Sequence, residues 1–306
     1  MSAARGVRRR LAVLAVVMVS GSCLALVGVS AAGAAGRTTS PTSTVSTGFY
    51  LDLGASASVG VQPTLANPRG ERTSSGYAND LVAYEATRGV TLQMTQLGCP
   101  GETTATMLFG GDHCYPPGDS QLADAMTFLM AHHDEPGIVT IDLGFNNVLP
   151  CLEHHFVDQS CARNEVDLVR QQMSSIMASL ESAAGPRVTF VGVGHYDPYL
   201  ADGIDSPIGM GFAVDSYSVI ASLNATLRTS YAAAGISMAT VAASFQSLSH
   251  VKVLVRGEGM VPLNVERACA LTWMCAPAPY GPNFHPNDAG YARIARAIEA
   301  VLRWPW

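Results

Sequence analysis

From residue 48 to residue 302 the chain alternates between short β-prone runs and amphipathic helical stretches, and nothing else in it restricts the fold as much. Strands are expected at Phe49–Leu53, Val90–Met94, Ile138–Leu143, Val188–Val193 and Ile236–Val241. Helices are expected over Tyr77–Arg88, from a Ser120 cap through Leu122, Ala125, Leu129 and Met130, and over Val214–Ala233. A long helix capped by Asn164 carries Val166, Val169, Met173, Ile176, Met177 and Leu180, and a last one capped by Asn287 carries Tyr291, Ile294, Ile298 and Leu302. Alternation of this kind implies an α/β fold, a mainly parallel sheet covered on both faces. Apolar residues at 48% and charged residues at 14% supply a sizeable core and exclude global disorder. In such sheets ligands bind beyond the carboxyl ends of the strands. The places to search are therefore just after Leu53, Met94, Leu143 and Val193.

The N-terminus reads as an export signal. Arg5, Arg8, Arg9 and Arg10 precede an apolar stretch from Leu11 to Val29, and Ala31–Gly36 offers small residues for cleavage. Residues 1–36 are expected to be a signal peptide, with an uncleaved anchor as the alternative. Residues 37–46 are Ser/Thr/Pro-rich and read as a linker, which leaves 47–306 as one domain. The expected location is extracellular or the cell envelope. A net charge of −6 argues against nucleic acid as a partner. A membrane enters only through the signal segment or a lipid substrate, and the expected state is a monomer.

Export gives the cysteines meaning. Beyond Cys23 there are six: Cys99, Cys114, Cys151, Cys161, Cys269 and Cys275. Three disulfides among six cysteines allow about 15 connectivities. The six fall in sequence-local pairs, so 99–114, 151–161 and 269–275 is the expected pairing. A loop of about 15 residues closed in this way contributes roughly 3 kcal/mol in the chain-entropy model. The spacings of zinc sites are absent, and neither a metal nor a cofactor is expected. His132-His133 reads as a helix end, and His154-His155 lies inside the 151–161 loop.

Four segments at the searched strand ends carry candidate chemistry. Gly54-Ala55-Ser56-Ala57-Ser58 presents Ser56 in a small-residue turn. Leu97-Gly98-Cys99-Pro100-Gly101 offers a backbone N–H at Gly101. Gly144-Phe145-Asn146-Asn147 offers the Asn146 amide as a donor to a developing oxyanion. Asn283-Phe284-His285-Pro286-Asn287-Asp288-Ala289-Gly290-Tyr291 places His285 before the last helix, and imidazole is the usual base for a serine. Each segment alone also fits an ordinary turn or cap. Met107, Leu108, Phe109 and Phe145 are candidates for an acyl pocket, with core packing as the alternative.

The order Ser, Gly, Asn, His at one sheet edge resembles the SGNH (GDSL-like) hydrolase family, over nearly all of residues 48–302. Its most specific block is His-Pro-Asn-Asp-Ala-Gly-Tyr. The segments Gly98–Thr103 and His195-Tyr196-Asp197-Pro198-Tyr199 are similar to the extracellular, disulfide-bearing subgroup. The resemblance implies a three-layer α/β/α sandwich, hydrolysis of carboxylic esters of lipids or acylated glycans, and the three local disulfides. It implies Ser56 as nucleophile, His285 as base, and an oxyanion hole from the Ser56 and Gly101 N–H groups and Asn146. Three positions depart from the family pattern. Ala55 and Asn147 stand where it has Asp, and Pro282 stands where the triad acid is often found, with Asn at 283. A Ser–His dyad is therefore expected, with a main-chain carbonyl near Pro282 orienting His285. A catalytically weak binding protein and a cell-envelope acyltransferase are the alternatives.

Overall fold

The computed structural model describes residues 46–204 and 207–304. The expected signal segment 1–36 and most of the expected linker 37–46 lie outside the described residues; Ser46 opens the first strand. In chain order the elements are β1 (Ser46–Gly54), α1 (Tyr77–Thr87), β2 (Val90–Gln96), α2 (Thr104–Phe109), α3 (Gln121–Ala131), β3 (Gly137–Asp142), α4 (Phe145–Val148), β4 (Leu152–Glu153), β5 (Phe156–Val157), α5 (Gln159–Ala183), β6 (Val188–Val193), α6 (Pro207–Ala233), β7 (Ser237–Ala239), α7 (Val241–Ser244), β8 (Lys252–Val255), β9 (Gly259–Pro262), α8 (Leu263–Leu271) and α9 (Asp288–Glu299).

Five strands form one parallel sheet in the order β2-β1-β3-β6-β7. The two-residue strand period divides their side chains between two cores. Phe49, Leu51, Leu53, Val139 and Ile141 face α3, α5 and α6 and pack with Leu129, Met173, Ile176, Leu223 and Leu227. Tyr50, Ile138, Val191 and Val193 face α1 and α9 and pack with Tyr77, Leu81, Tyr291, Ile294 and Ile298. The architecture is thus α/β/α, as expected. Chain order reverses between β1 and β3, and the crevice outside the carboxyl ends of those two strands is where a sheet of this order binds ligands.

Local chemistry moved some boundaries. The long helix α5 begins at Gln159, and its cap is Asp158 rather than Asn164: Asp158 Oδ1 accepts the N–H groups of Ser160 and Cys161, both at 2.9 Å. The helix expected from Val214 starts at Pro207, and the strand expected over 236–241 is confined to Ser237–Ala239. All three expected disulfides are formed: Cys99–Cys114, Cys151–Cys161 and Cys269–Cys275. Among the described residues no helix is long and apolar enough to cross a membrane.

Candidate active site

Ser56 sits in the turn that leaves β1. Gly54 has φ +134°, and a Cβ there would collide with the Asp142 carbonyl, so β1 approaches β3 only with glycine at this point. The turn is held from several sides. Ala55 N–H donates to Asp142 O at 3.0 Å, Ser58 Oγ to Ala55 O at 2.7 Å, and Val61 N–H to Ser56 O at 3.0 Å. The buried Gln121 amide pairs with both backbone groups of Gly54, accepting from its N–H at 2.7 Å and donating to its carbonyl at 3.0 Å. Ser58 N–H also donates to the Asp142 carboxylate. A carboxylate from β3 thus grips the turn where Ala55 has none to offer. Among the described residues neither the Ser56 N–H nor its hydroxyl has a hydrogen-bond partner.

Asn146 is the second residue of α4, which Phe145 opens after Gly144, whose φ of +108° makes the sharp exit from β3. Its Nδ2 donates to Glu102 O at 3.0 Å, which ties it to the segment after β2 and leaves one N–H of the amide. Asn147 braces the same segment by accepting from Thr104 N–H at 3.0 Å. Gly101 has φ +90° and is exposed, and its N–H has no acceptor among the described residues.

His285 is buried, and its two ring nitrogens differ. Nδ1 lies 2.8 Å from Asn283 Oδ1, while Nε2 is buried without a partner. This corrects the expectation of a main-chain carbonyl near Pro282: the side chain of Asn283 does the orienting. Its amide orientation is fixed by its surroundings. Oδ1 also accepts the His285 N–H at 3.0 Å, while Nδ2 donates to the carbonyls of Arg69 at 3.1 Å and Pro68 at 3.3 Å. Because Oδ1 only accepts, the Nδ1 of His285 carries the proton and Nε2 offers its lone pair. Burial, with no carboxylate to compensate, lowers the His285 pKa to about 4.

The rest of the last block fastens this histidine. Asn287 caps α9 by accepting from Gly290 N–H at 3.1 Å, and a Cβ at Gly290 would collide with Leu271 O. Asp288 accepts from Gln62 Nε2 at 2.9 Å, and Tyr291 Oη donates to Val61 O at 2.8 Å. The segment carrying His285 is therefore bonded to the chain that follows the Ser56 turn.

Ser56, Asn146 and His285 line one cavity of about 40 Å³ with Asp142, Phe145 and His195. That volume admits only a few waters, so the reacting group of a ligand fits there and the remainder lies outside. Gly101 is not part of the wall. His195 Nε2 lies 2.8 Å from Leu143 O, and its Nδ1 is 3.5 Å from Asp142. Of the acyl-pocket candidates only Phe145 reaches the cavity. Met107 is buried in the core, Leu108 packs against it and Phe109 is exposed. A larger cavity of about 750 Å³ lies at the amino ends of β6 and β7, beside Val188 and Ser237, away from Ser56 and His285. Sequence reasoning gave no role to Gln121, Asp142 or Asn283. Only Asn283 carried a signal, as an amide close to where an acid was sought.

No family model matches the chain, and none of the curated proteins matches it. Solved structures do. Phospholipase A1 from Streptomyces albidoflavus superposes with TM-score 0.53 at 17% identity, over 83% of this chain and 99% of that one. The extracellular lipase from Streptomyces rimosus superposes with TM-score 0.54 at 16% identity, over 83% of this chain and 100% of that one. In fold, then, the chain is a three-layer α/β/α sandwich of the kind found in those two Streptomyces enzymes, as the SGNH resemblance implied.

Proposed function

We propose that the chain is an exported carboxylic ester hydrolase with Ser56 as nucleophile and His285 as base. The observation that carries this reading is the shared cavity wall, where His285 presents an unpartnered Nε2 and Ser56 an unpartnered hydroxyl. His285 Nε2 takes the Ser56 proton as Oγ attacks the ester carbonyl. The Ser56 N–H and the free Asn146 N–H stabilise the oxyanion, each worth roughly 10²–10³-fold; the Gly101 N–H, expected as the third donor, lies outside the cavity wall and carries no step here. His285 then protonates the leaving alcohol and activates the water that cleaves the acyl-enzyme. Asn283 takes the place of the triad acid, so the unit is Ser56–His285–Asn283 rather than a dyad. It fixes the tautomer but adds no charge to stabilise the imidazolium. No metal or cofactor takes part in these steps.

The names of the similar structures support ester-bearing lipids as substrates, with acylated glycans as the other class. Residues 1–36 as a signal peptide, 37–46 as a linker and a monomeric domain over 47–306 complete the proposal. The test is hydrolysis of short and medium p-nitrophenyl esters by the wild type beside Ser56→Ala. Turnover lost in the variant supports the reading; a folded wild type without turnover on any ester refutes it.

A further inference from the structure

The β8–β9 hairpin stands apart from the central sheet as a separate two-stranded ribbon. Its register pairs Val253 with Val261 and Leu254 with Met260. Strand alternation divides it into two faces, and both carry apolar side chains. The inner face, with Val261 buried and Val253 and Val255 half-buried, seats the ribbon against the body of the protein, where both strands contact α8. The outer face presents Leu254, 79% exposed, directly opposite Met260, 58% exposed. Lys252 lies two residues before Leu254 on the same face, Arg256 opens the turn that follows β8, and both are exposed. Lys252 is the only lysine of the chain. Among the described residues neither cation has an ion-pair partner. Leu248 and Val251 continue the exposed apolar surface at the base of the hairpin.

An exposed apolar pair flanked by two unpaired cations has a specific complement. We infer that the outer face of this hairpin docks on a negatively charged lipid surface, with Leu254 and Met260 entering the interface and Lys252 and Arg256 meeting anionic head groups. The charge pattern favours this occupant. Residues 246–262 contain Lys252 and Arg256 against Glu258 alone, a local excess of one positive charge in a chain of net charge −6. A second copy would meet this face through a twofold axis, which sets the same cations near one another. A soluble anion would engage the cations and leave Leu254 and Met260 in water. Lys and Arg carry long apolar stems that lie along an interface while their heads reach its polar layer. The hairpin runs directly into α8, whose C-cap residue Thr272 bridges Pro286, next to His285. The docking face is thus one helix of about 14 Å from the base-carrying segment. The inference does not rest on the esterase reading.

The experiment is hydrogen exchange on the full chain with and without vesicles of phosphatidylglycerol or phosphatidylcholine, beside flotation of the same mixtures. The expected result is slowed exchange across residues 252–260 with phosphatidylglycerol vesicles, reversed by high salt. In Lys252→Gln/Arg256→Gln the hairpin protection requires about twenty-fivefold more lipid, at about fivefold per cation. In Leu254→Ser/Met260→Ser it is lost, with unchanged thermal melts in both variants. Flotation without protection of the hairpin means that another segment binds lipid and overturns the inference. So does protection that tracks protein concentration without lipid, which reports a second copy.

Discussion

At the scale of single residues, the outer edge of position 283 explains why an amide stands there. It faces two backbone carbonyls, of Pro68 and Arg69, and only a donor satisfies them. Asn283→Asp sets a carboxylate oxygen against those carbonyls while offering charge to His285. The pKa of His285 rises from about 4, because the new carboxylate favours the imidazolium. The acid limb of kcat/KM, which follows loss of the neutral base, is expected to move up by about 1–3 pH units. Asn283→Ala removes the orienting acceptor and is expected to lower kcat about 10²-fold. A pH–rate profile that stays in place in the Asp variant would remove Asn283 from the mechanism.

A second residue pair makes an independent prediction. Glu102 Oε1 and Asp112 Oδ2 are buried without partners, and ligand oxygens of the two carboxyl groups lie within 4.8 Å of each other. Burial first, and then the Asp112 charge among other influences, raises the Glu102 pKa to about 7. Asp112→Asn keeps an acceptor for Cys114 and Tyr115 N–H and supplies a donor to Glu102. The variant is expected to be more stable than wild type at pH 8, by about 1–3 kcal/mol, and close to it at pH 5 where a proton already serves. Urea denaturation at the two pH values checks this.

At the scale of elements, the site depends on a helix that carries no reacting group. Gln121, in the first turn of α3, answers both the N–H and the carbonyl of buried Gly54 at the end of β1 and also donates to Glu102 Oε2 at 2.6 Å. Gln121→Ala leaves buried groups unpaired beneath the Ser56 turn. The expected cost is about 1–3 kcal/mol of stability, with kcat lowered more than KM is raised, because the turn and not the outer surface is disturbed. Steady-state kinetics beside thermal melts distinguish this from simple unfolding. The disulfides act at the same scale. Cys269–Cys275 anchors the end of α8 close to His285, and Cys99–Cys114 closes the segment that contains Gly101 and Glu102.

At the scale of the whole molecule, the buried acids set the pH range of stability. Asp52, under three side-chain donors on the α1/α9 face of the sheet, is pushed up to about 8, and Asp197 to about 7, burial being the first cause in both. With Glu102, these groups hold protons in the folded chain that the unfolded chain releases near pH 4. Their contribution is complete below that pH and is lost as pH rises through 7 to 8. His285 acts in the opposite sense, since its lowered pKa removes stability as pH falls from about 6.5 to about 4. Three groups against one give the sign: melting temperatures measured from pH 5 to pH 8 are expected to fall.

The sequence by itself determined the layers and the edge at which the site lies. Strand and helix periods are local properties, and Phe49–Leu53, Ile138–Leu143 and Val188–Val193 could bury both faces only in a covered parallel sheet. Ser56, Asn146 and His285 were legible because each follows a strand or precedes a helix at that edge. Gly54 and Gly290 stand where any side chain would strike a neighbouring carbonyl. What only the tertiary structure decided is which polar groups answer one another across long sequence gaps. Gln121 meets Gly54 over 67 residues, Asp142 meets the turn holding Ser58, and Asn283 reaches Arg69 over 214. No local period records such pairs, because hydrogen bonds depend on distance and direction in space, and burial makes an unanswered donor or acceptor costly.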